Sequence, residues 1–386
     1  MFKKKTCAII GIKSTIISPF EISEINEISK YYDIIDLFYL RKNSPEGNVK
    51  YNSNVKINDL KINFFYLIKL IFHSENFFQT LKLIINSNDK ISEKIKQLAL
   101  LPKAILISEK INNNPPELVY LFWGHYPSLV VLNLKKNLKS KIIIFLGAYD
   151  FRKKLEISKH ASLKSNLIFT HSKKRVLQIK KFFGYKSKII VNYRGLDIDE
   201  FKNNTFNKKK YTFCAASVLE KHKNVEAIIN NFFYIKKKFP KSKLFIIGTG
   251  SQESILKRMV SNLKLKKSVK FTGWLPKKKL YNILSNTQFF LHFSKVDIIP
   301  NSIKEAMYSK CFVLSSKTFA IEEIINHSKN GFIVNPKKID KNIEIIEYCI
   351  KNKSTKSIIK NARKKIIKDF NIKKNIKFFY KCVSNI

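Results

Sequence analysis

Acidic side chains are scarce in this chain: 28 Asp and Glu stand against 74 Lys and Arg, a formal net charge of +46. That imbalance draws the molecule toward anionic partners, whether phospholipid, nucleic acid or phosphorylated substrates. Part of the excess is compositional, because Ile, Asn, Phe and Tyr are abundant beside Lys. Between residues 351 and 386, twelve basic residues face Asp369 alone, and a solvated basic face accounts for that run as well as a functional patch does. Cysteine gives no scaffold. Cys7, Cys214, Cys311, Cys349 and Cys382 are odd in number and widely spaced, which reads as free, mostly buried thiols in a reducing compartment. The seven histidines are scattered, and His73-Ser-Glu75 has no Cys-x-x-Cys after it, so no zinc site is expected. No apolar run reaches the roughly 18 residues of a membrane span. The best, residues 64–72, is broken by Lys69. The amino-terminal residues run into polar sequence without a small-residue cleavage site and read as a strand.

With 45% hydrophobic residues in 386, the chain can build genuine cores and suits two domains. Strand patterns fall at residues 6–11, 34–40, 118–123, 141–146, 167–170 and 187–191, and helix patterns at 21–32, 58–74, 76–86 and 173–183. Alternation of this kind predicts a doubly wound α/β domain. Residues 202–210 are polar and basic, a linker by composition. The pattern then restarts with strands at 211–216, 243–247, 269–271, 288–293, 312–315 and 331–334, and helices at 224–239, 252–265, 278–285, 303–308 and 320–327. A run of helices closes the chain from residue 355. The expected architecture is two Rossmann-like α/β domains facing a cleft, residues 1–201 and 211–365, with residues 366–386 crossing back onto the first.

Two acids eight positions apart carry the most information: Asp297 and Glu305, in Ser294-Lys-Val-Asp-Ile-Ile-Pro-Asn-Ser-Ile-Lys-Glu-Ala-Met307. The strand before them is apolar on both faces, and Asn301-Ser302 after Pro300 can cap a helix from Ile303 to Tyr308. Asp297 then lies on the loop leaving the strand and Glu305 on the first helical turn. Such a loop, at the carboxyl end of a parallel strand, is where α/β folds place anionic ligands. The plain alternative is a capping box, since Ser302 and Glu305 have the Ser-x-x-Glu spacing.

Other segments join these in a consistent order. They are Leu219-Glu-Lys-His-Lys223, Gly248-Thr-Gly250 after an apolar strand, Val269-Lys-Phe-Thr-Gly273, Glu323-Ile-Ile and Asn330-Gly331. In the first half, Ala148-Tyr149-Asp150, Ser172, Gly195-Leu-Asp197 and the Phe20/Glu24 pair add to the series. In this order the chain resembles the family 4 retaining glycosyltransferases of GT-B fold, and is most similar to bacterial enzymes of exopolysaccharide and colanic-acid type.

The resemblance implies a nucleoside-diphosphate-sugar donor bound in the second domain and a glycan or lipid-linked acceptor on the side of the first. Lys223 and the backbone N–H groups of Asn301 and Ser302 would take the diphosphate, Glu305 the ribose hydroxyls, and Asp297 the sugar hydroxyls. Asp150 would orient a sugar or acceptor hydroxyl. Gly248, Gly250 and Gly273 would admit the donor closely or simply form turns, and Trp274 would flank the base. No metal and no further cofactor is implied. The implied setting is the cytoplasm, at the inner face of an anionic membrane, with residues 58–74 resting on lipid. His125 reads as a structural histidine, and Arg194, beside the domain junction, as a phosphate contact or equally a surface ion pair. Departures from the family pattern are Asp297 for Glu, Val218 for Arg, Gly147 for His, and Lys310 and Ala320 where glycines are expected. They leave open a catalytically weakened, donor-binding subunit. A nucleic-acid binder, argued from charge alone, lacks a recognition module and is not expected.

Overall fold

The computed structural model describes residues 4–13, 19–41, 50–63, 65, 68, 76–183, 188–201 and 205–386. It divides into two units: Met1–Arg194 with Lys373–Ile386, and Gly195–Ile372. In the first, strands β1 (Thr6–Lys13), β2 (Ile34–Arg41), β3 (Val55–Asn58), β4 (Leu118–Leu121), β5 (Lys141–Leu146), β6 (Leu167–Thr170) and β7 (Lys188–Val191) form one parallel sheet. Their order is β3-β2-β1-β4-β5-β6-β7. Every residue of β4 and β6 is buried, as expected when helices cover both faces of a parallel sheet. Those helices are α1 (Pro19–Ile28), α2 (Phe77–Asn86), α3 (Ile91–Asn113), α4 (Ser128–Leu132), α5 (Ala148–Lys153), α6 (Glu156–Lys164) and α7 (Lys173–Phe183).

The second unit repeats the plan with β8 (Lys209–Ala216), β9 (Lys243–Ile247), β10 (Val269–Gly273), β11 (Thr287–His292), β12 (Phe312–Ser316) and β13 (Phe332–Val334). The order β10-β9-β8-β11-β12-β13 puts β8 beside β11, and all pairings are parallel. Its helices are α8 (Val225–Lys238), α9 (Glu253–Asn262), α10 (Lys277–Asn286), α11 (Asn301–Tyr308), α12 (Ile339–Lys351) and α13 (Lys356–Asp369). Helix α14 (Ile372–Ser384) then belongs to the first unit from Lys373 onward. There Tyr380 stacks on Tyr31 at 4.7 Å, and Phe379 packs on Tyr120 at 5.1 Å and Phe169 at 4.8 Å.

The division falls at Arg194/Gly195 rather than after Phe201. Phe201 stacks on Tyr281 at 3.8 Å and meets Tyr308 at 4.8 Å, so the junction segment is already part of the second core. Residues 366–372 likewise stay with that unit: Leu196 N–H donates to Phe370 O at 2.6 Å. Gly195 lies so close to Ile372 that a Cβ would stand 2.3 Å from its Cα.

Several expected elements differ. Residues 55–58 form an edge strand, Val55 pairing with Ile35, where a helix was expected to begin at 58. The rest of that predicted helix, like His73, lies largely outside the described residues. Helix α3 has no counterpart among the predicted helices. It contains Pro102 and is buried around most of its circumference from Leu100 to Ile111, so that half carries no one-sided apolar stripe. The helix expected at 320–327 is a single 3₁₀ turn, Ile321–Glu323. No helix among the described residues is long and apolar enough to cross a membrane.

Candidate functional site

In the second unit the chain proceeds outward on both sides of the β8/β11 pair. The loops leaving these two strands therefore flank a crevice at their carboxyl ends, the topological switch point of an open parallel sheet. Lys223 is on the first loop and Asp297 on the second. The first loop is fixed by its neighbour after β9: Ser217 N–H donates to Ile247 O at 3.0 Å, Leu219 N–H to Thr249 O at 2.8 Å, and Gln252 N–H to Leu219 O at 2.9 Å. This zipper explains two glycines. Gly248 has φ +126°, and a Cβ there would lie 1.9 Å from Ser217 O; one on Gly250 would lie 2.6 Å from Leu219 O. What approaches these glycines is the Ser217–Leu219 backbone. Gly273 has φ +68° but open space around a Cβ, and its carbonyl accepts Gly248 N–H at 2.9 Å. Trp274, next in sequence, is exposed.

Lys223 Nζ donates to Asp297 Oδ1 at 2.6 Å, with both side chains mostly buried. On the other side, His292 Nε2 lies 2.9 Å from Asp297 Oδ2, out of line for a good hydrogen bond. The loops are also joined through the backbone, since Lys295 N–H donates to His222 O at 3.0 Å and Asn224 Nδ2 to Phe293 O at 3.2 Å. Burial opposes charge on Asp297. The His292 imidazole and the Lys223 ammonium outweigh it and hold the carboxyl well below the usual carboxylate range. Asp297 is thus a fixed anion between the Lys223 ammonium and the His292 imidazole. His292 escaped the sequence reading. Its signal was a polar residue closing an otherwise apolar buried strand, five positions before the acid.

Helix α11 starts at Asn301 with Pro300 as its N-cap, two residues earlier than the capping pattern suggested, and the cap makes no side-chain hydrogen bond. The Ser302–Glu305 capping box is therefore not formed. The first-turn N–H groups, those of Asn301 and Ser302 among them, have no intrahelical acceptor. Asn301 Oδ1 instead accepts Lys304 Nζ at 2.7 Å, an ammonium almost wholly buried above Phe370. Among the described residues the Glu305 carboxylate makes no hydrogen bond or ion pair, although its backbone carbonyl accepts Ser309 N–H at 2.9 Å. Desolvation raises its pKa to about 7, against the Lys277 and Lys304 ammoniums and reinforced by Glu200. Glu200, also absent from the sequence reading, accepts from Lys277 Nζ at 2.6 Å and from Tyr281 O–H at 2.8 Å. At the end of α11, Lys310 adopts φ +62° where glycine was expected. Cys311 N–H donates to Ala306 O at 3.0 Å and Lys310 N–H to Met307 O at 3.2 Å, so a Schellman turn forms without glycine.

Because the folded pKa of Glu305 lies above its unfolded value, the folded chain keeps an extra proton between about pH 4.5 and 7. Its contribution to stability is greatest below the lower value and declines as pH rises through that window. Glu305→Gln removes the decline. In urea titrations the variant is expected to gain roughly 2–3 kcal/mol on the parent between about pH 4 and 8. A gap that does not change with pH would refute the assignment.

In the first unit the corresponding carboxyl-end loops place Asp150 and His125 together. Asp150 is fully buried, accepts Gly147 N–H at 2.6 Å as the cap of α5, and lies 3.3 Å from His125 Nδ1. Burial raises its pKa to about 7, although the Gly147 N–H and Arg194 favour the anion. Through the Gly147 bond Asp150 shapes the loop that enters α5. For Ala148 and Tyr149 only the backbone is described. Arg194 is buried too, bonded to Glu24 at 3.0 Å and Phe122 O at 2.9 Å and stacked 4.0 Å from the rings of Phe122 and Phe145. Its ion pair with Glu24 is buried rather than at the surface.

Residues 197–365 match the family model described as glycosyl transferases group 1. Among curated proteins, an uncharacterized glycosyltransferase of Methanocaldococcus jannaschii is 24% identical over 61% of this chain and 55% of its own length. The UDP-Gal:alpha-D-GlcNAc-diphosphoundecaprenol alpha-1,3-galactosyltransferase of Escherichia coli is 25% identical over 56% of this chain and 59% of its own. The chain thus spans little more than half the length of these two relatives. Among solved structures, Anabaena HepE in complex with UDP and glucose superposes with a TM-score of 0.72 over the whole of both chains, at 14% identity. The sucrose-phosphate synthase of Thermosynechococcus elongatus does so with a TM-score of 0.76 over 99% of each, at 11% identity. The chain therefore has the GT-B glycosyltransferase fold, and its residues 197–365 are similar to the group 1 glycosyl transferases.

Proposed function

We propose that this chain is a family 4 retaining glycosyltransferase that moves a hexose, without a metal, from a nucleoside-diphosphate-sugar to a glycan or lipid-linked acceptor in surface polysaccharide synthesis, at the inner face of the cytoplasmic membrane. One observation carries the reading. Glu305 presents a carboxylate with no intramolecular partner among the described residues, on the first turns of α11 and beside unused helix N–H groups. A carboxylate accepts both hydroxyls of a ribose, and the helix terminus with Lys223 stabilises the leaving diphosphate, which gathers charge as the glycosidic bond breaks. Asp297, fixed by Lys223 and His292, is set to accept sugar hydroxyls. The HepE complexes with UDP and UDP-glucose support a uridine donor. The galactosyltransferase acting on a diphosphoundecaprenol-linked sugar supports a lipid-linked acceptor.

The test is a panel of UDP-, GDP- and ADP-sugars incubated with the full chain and lipid-diphosphate-linked acceptors, scored by nucleoside diphosphate release and by anomeric configuration of the product. Release from one donor class with retained configuration is expected. A second reading, a donor-binding subunit without transfer, is favoured by Val218, an exposed apolar side chain where the resemblance expects a cation. Calorimetric binding of a nucleoside diphosphate with no release on any acceptor would decide for it.

A further inference from the structure

We propose that the outward face of the α2–α3 pair in the first unit docks on an anionic lipid bilayer. Large apolar side chains stand in solvent there: Phe78 is 62% exposed and Ile85 56% on α2, and Ile91 77% and Ile95 61% on α3. Phe78 and Ile85 are seven positions apart, and Ile91, Ile95 and Leu98 recur at helical spacing, so each set forms a stripe along one side of its helix. The opposite sides, with Thr80 and Ile84 on α2 and Glu93, Gln97 and Leu100 on α3, are buried in the unit. The two helices are braced as one surface: Lys94 Nζ donates to Ile85 O at 2.7 Å, and Gln97 Nε2 to Asp89 Oδ2 at 2.8 Å.

Charge decides what covers this face. Among the described residues the two nearest carboxylates are turned inward. Glu93 accepts from Tyr126 O–H at 2.6 Å, from Lys96 at 3.2 Å and from Lys153, while Asp89 also accepts Glu156 N–H at 3.2 Å. Lys82 and Lys90 remain exposed beside the apolar stripes. An apolar strip rimmed by lysine, with no outward anion among the described residues, matches a bilayer surface, where acyl chains take the apolar groups and phosphates the ammoniums. A second copy fits poorly, since it would bring another chain of net charge +46 against the first. The inference gives the proposed lipid-linked reaction a place on the molecule and rests on that reading only for its purpose.

Sedimentation of the full chain with vesicles tests it. Binding is expected to phosphatidylcholine vesicles containing about one-third phosphatidylglycerol and to be far weaker on phosphatidylcholine alone. Ile91→Ser with Ile95→Ser is expected to lower the anionic partition coefficient at least about tenfold. Lys82→Gln with Lys90→Gln should lower it roughly twentyfold on the anionic vesicles only. Leu177→Ser, which alters an equally exposed residue on α7, should have no effect. Unchanged binding by the isoleucine pair, equal loss with Leu177→Ser, or a dimer that the isoleucine pair dissolves would each overturn the proposal. Nucleoside diphosphate release in detergent-free buffer reads the donor site separately. Its absence with vesicle binding intact counts against transfer alone, and its presence with binding lost counts against the docking face alone.

Discussion

Glu305→Ala is expected to lower kcat/KM for donor turnover by roughly a hundredfold to ten-thousandfold. Two hydrogen bonds from a diol to a carboxylate are each charge-assisted, and losing them costs about 3–6 kcal/mol together. Alanine keeps α11 intact, because no side-chain cap depends on Glu305. Folding should not suffer, since the position already disfavours a charge and pushes the carboxyl to a pKa of about 7. Glu305→Gln keeps one acceptor oxygen and should retain more turnover than alanine. Steady-state kinetics with the best donor, beside a thermal melt, check this. Turnover within threefold of the parent (about 0.7 kcal/mol) would remove Glu305 from the site.

The second large effect concerns Lys223. Lys223→Ala takes away the proposed diphosphate cation and should reduce kcat by roughly a hundredfold to a thousandfold. It also strands Asp297, a mostly buried anion whose nearest cation stood 2.6 Å away. Leaving such a charge unpaired costs about 3–5 kcal/mol of stability, reduced here by the remaining His292 contact. Adding Asp297→Asn removes the stranded charge and should restore most of the melting temperature while leaving turnover low. Stability and catalysis thus separate in one pair of variants. If Lys223→Ala melts as the parent does and the double variant gains nothing, the ion pair is not holding these loops. If turnover returns with stability, Lys223 has only a structural part.

Most of the strands were legible because they are largely buried and read as continuous apolar runs. The ends of β5, β6 and β9 agree with the sequence reading to the residue. Helix α3 was not legible, for the converse reason: from Leu100 to Ile111 it is surrounded by protein and has no polar side to mark its period, and before that it exposes Ile91 and Ile95 while burying Glu93 and Gln97. Edge strand β3 was missed because its residues are half-buried or exposed. At the site, Asp297 and Lys223 could be tied to loops after strands, but their contact depends on β8 lying next to β11, a neighbour relation that no local pattern carries. Asp150 shows the opposite limit. A carboxylate in a motif-like segment proved to be capping its own helix. The same spacing at Ser302 and Glu305 suggested a cap, and none forms there. Spacing alone does not distinguish the two.

The placement of α14 sets an order of events during synthesis. Residues 373–386 leave the ribosome only after the whole of Gly195–Ile372, yet they supply Phe379 to the core around β4 and β6 of the first unit and stack Tyr380 on Tyr31. The sheet that is translated first must therefore wait, with Tyr120 and Phe169 uncovered, while the second unit emerges and folds within its own contacts. A nascent first unit is left with an apolar seam open for the time needed to translate the residues in between. A chaperone meeting this protein on the ribosome would find its substrate there.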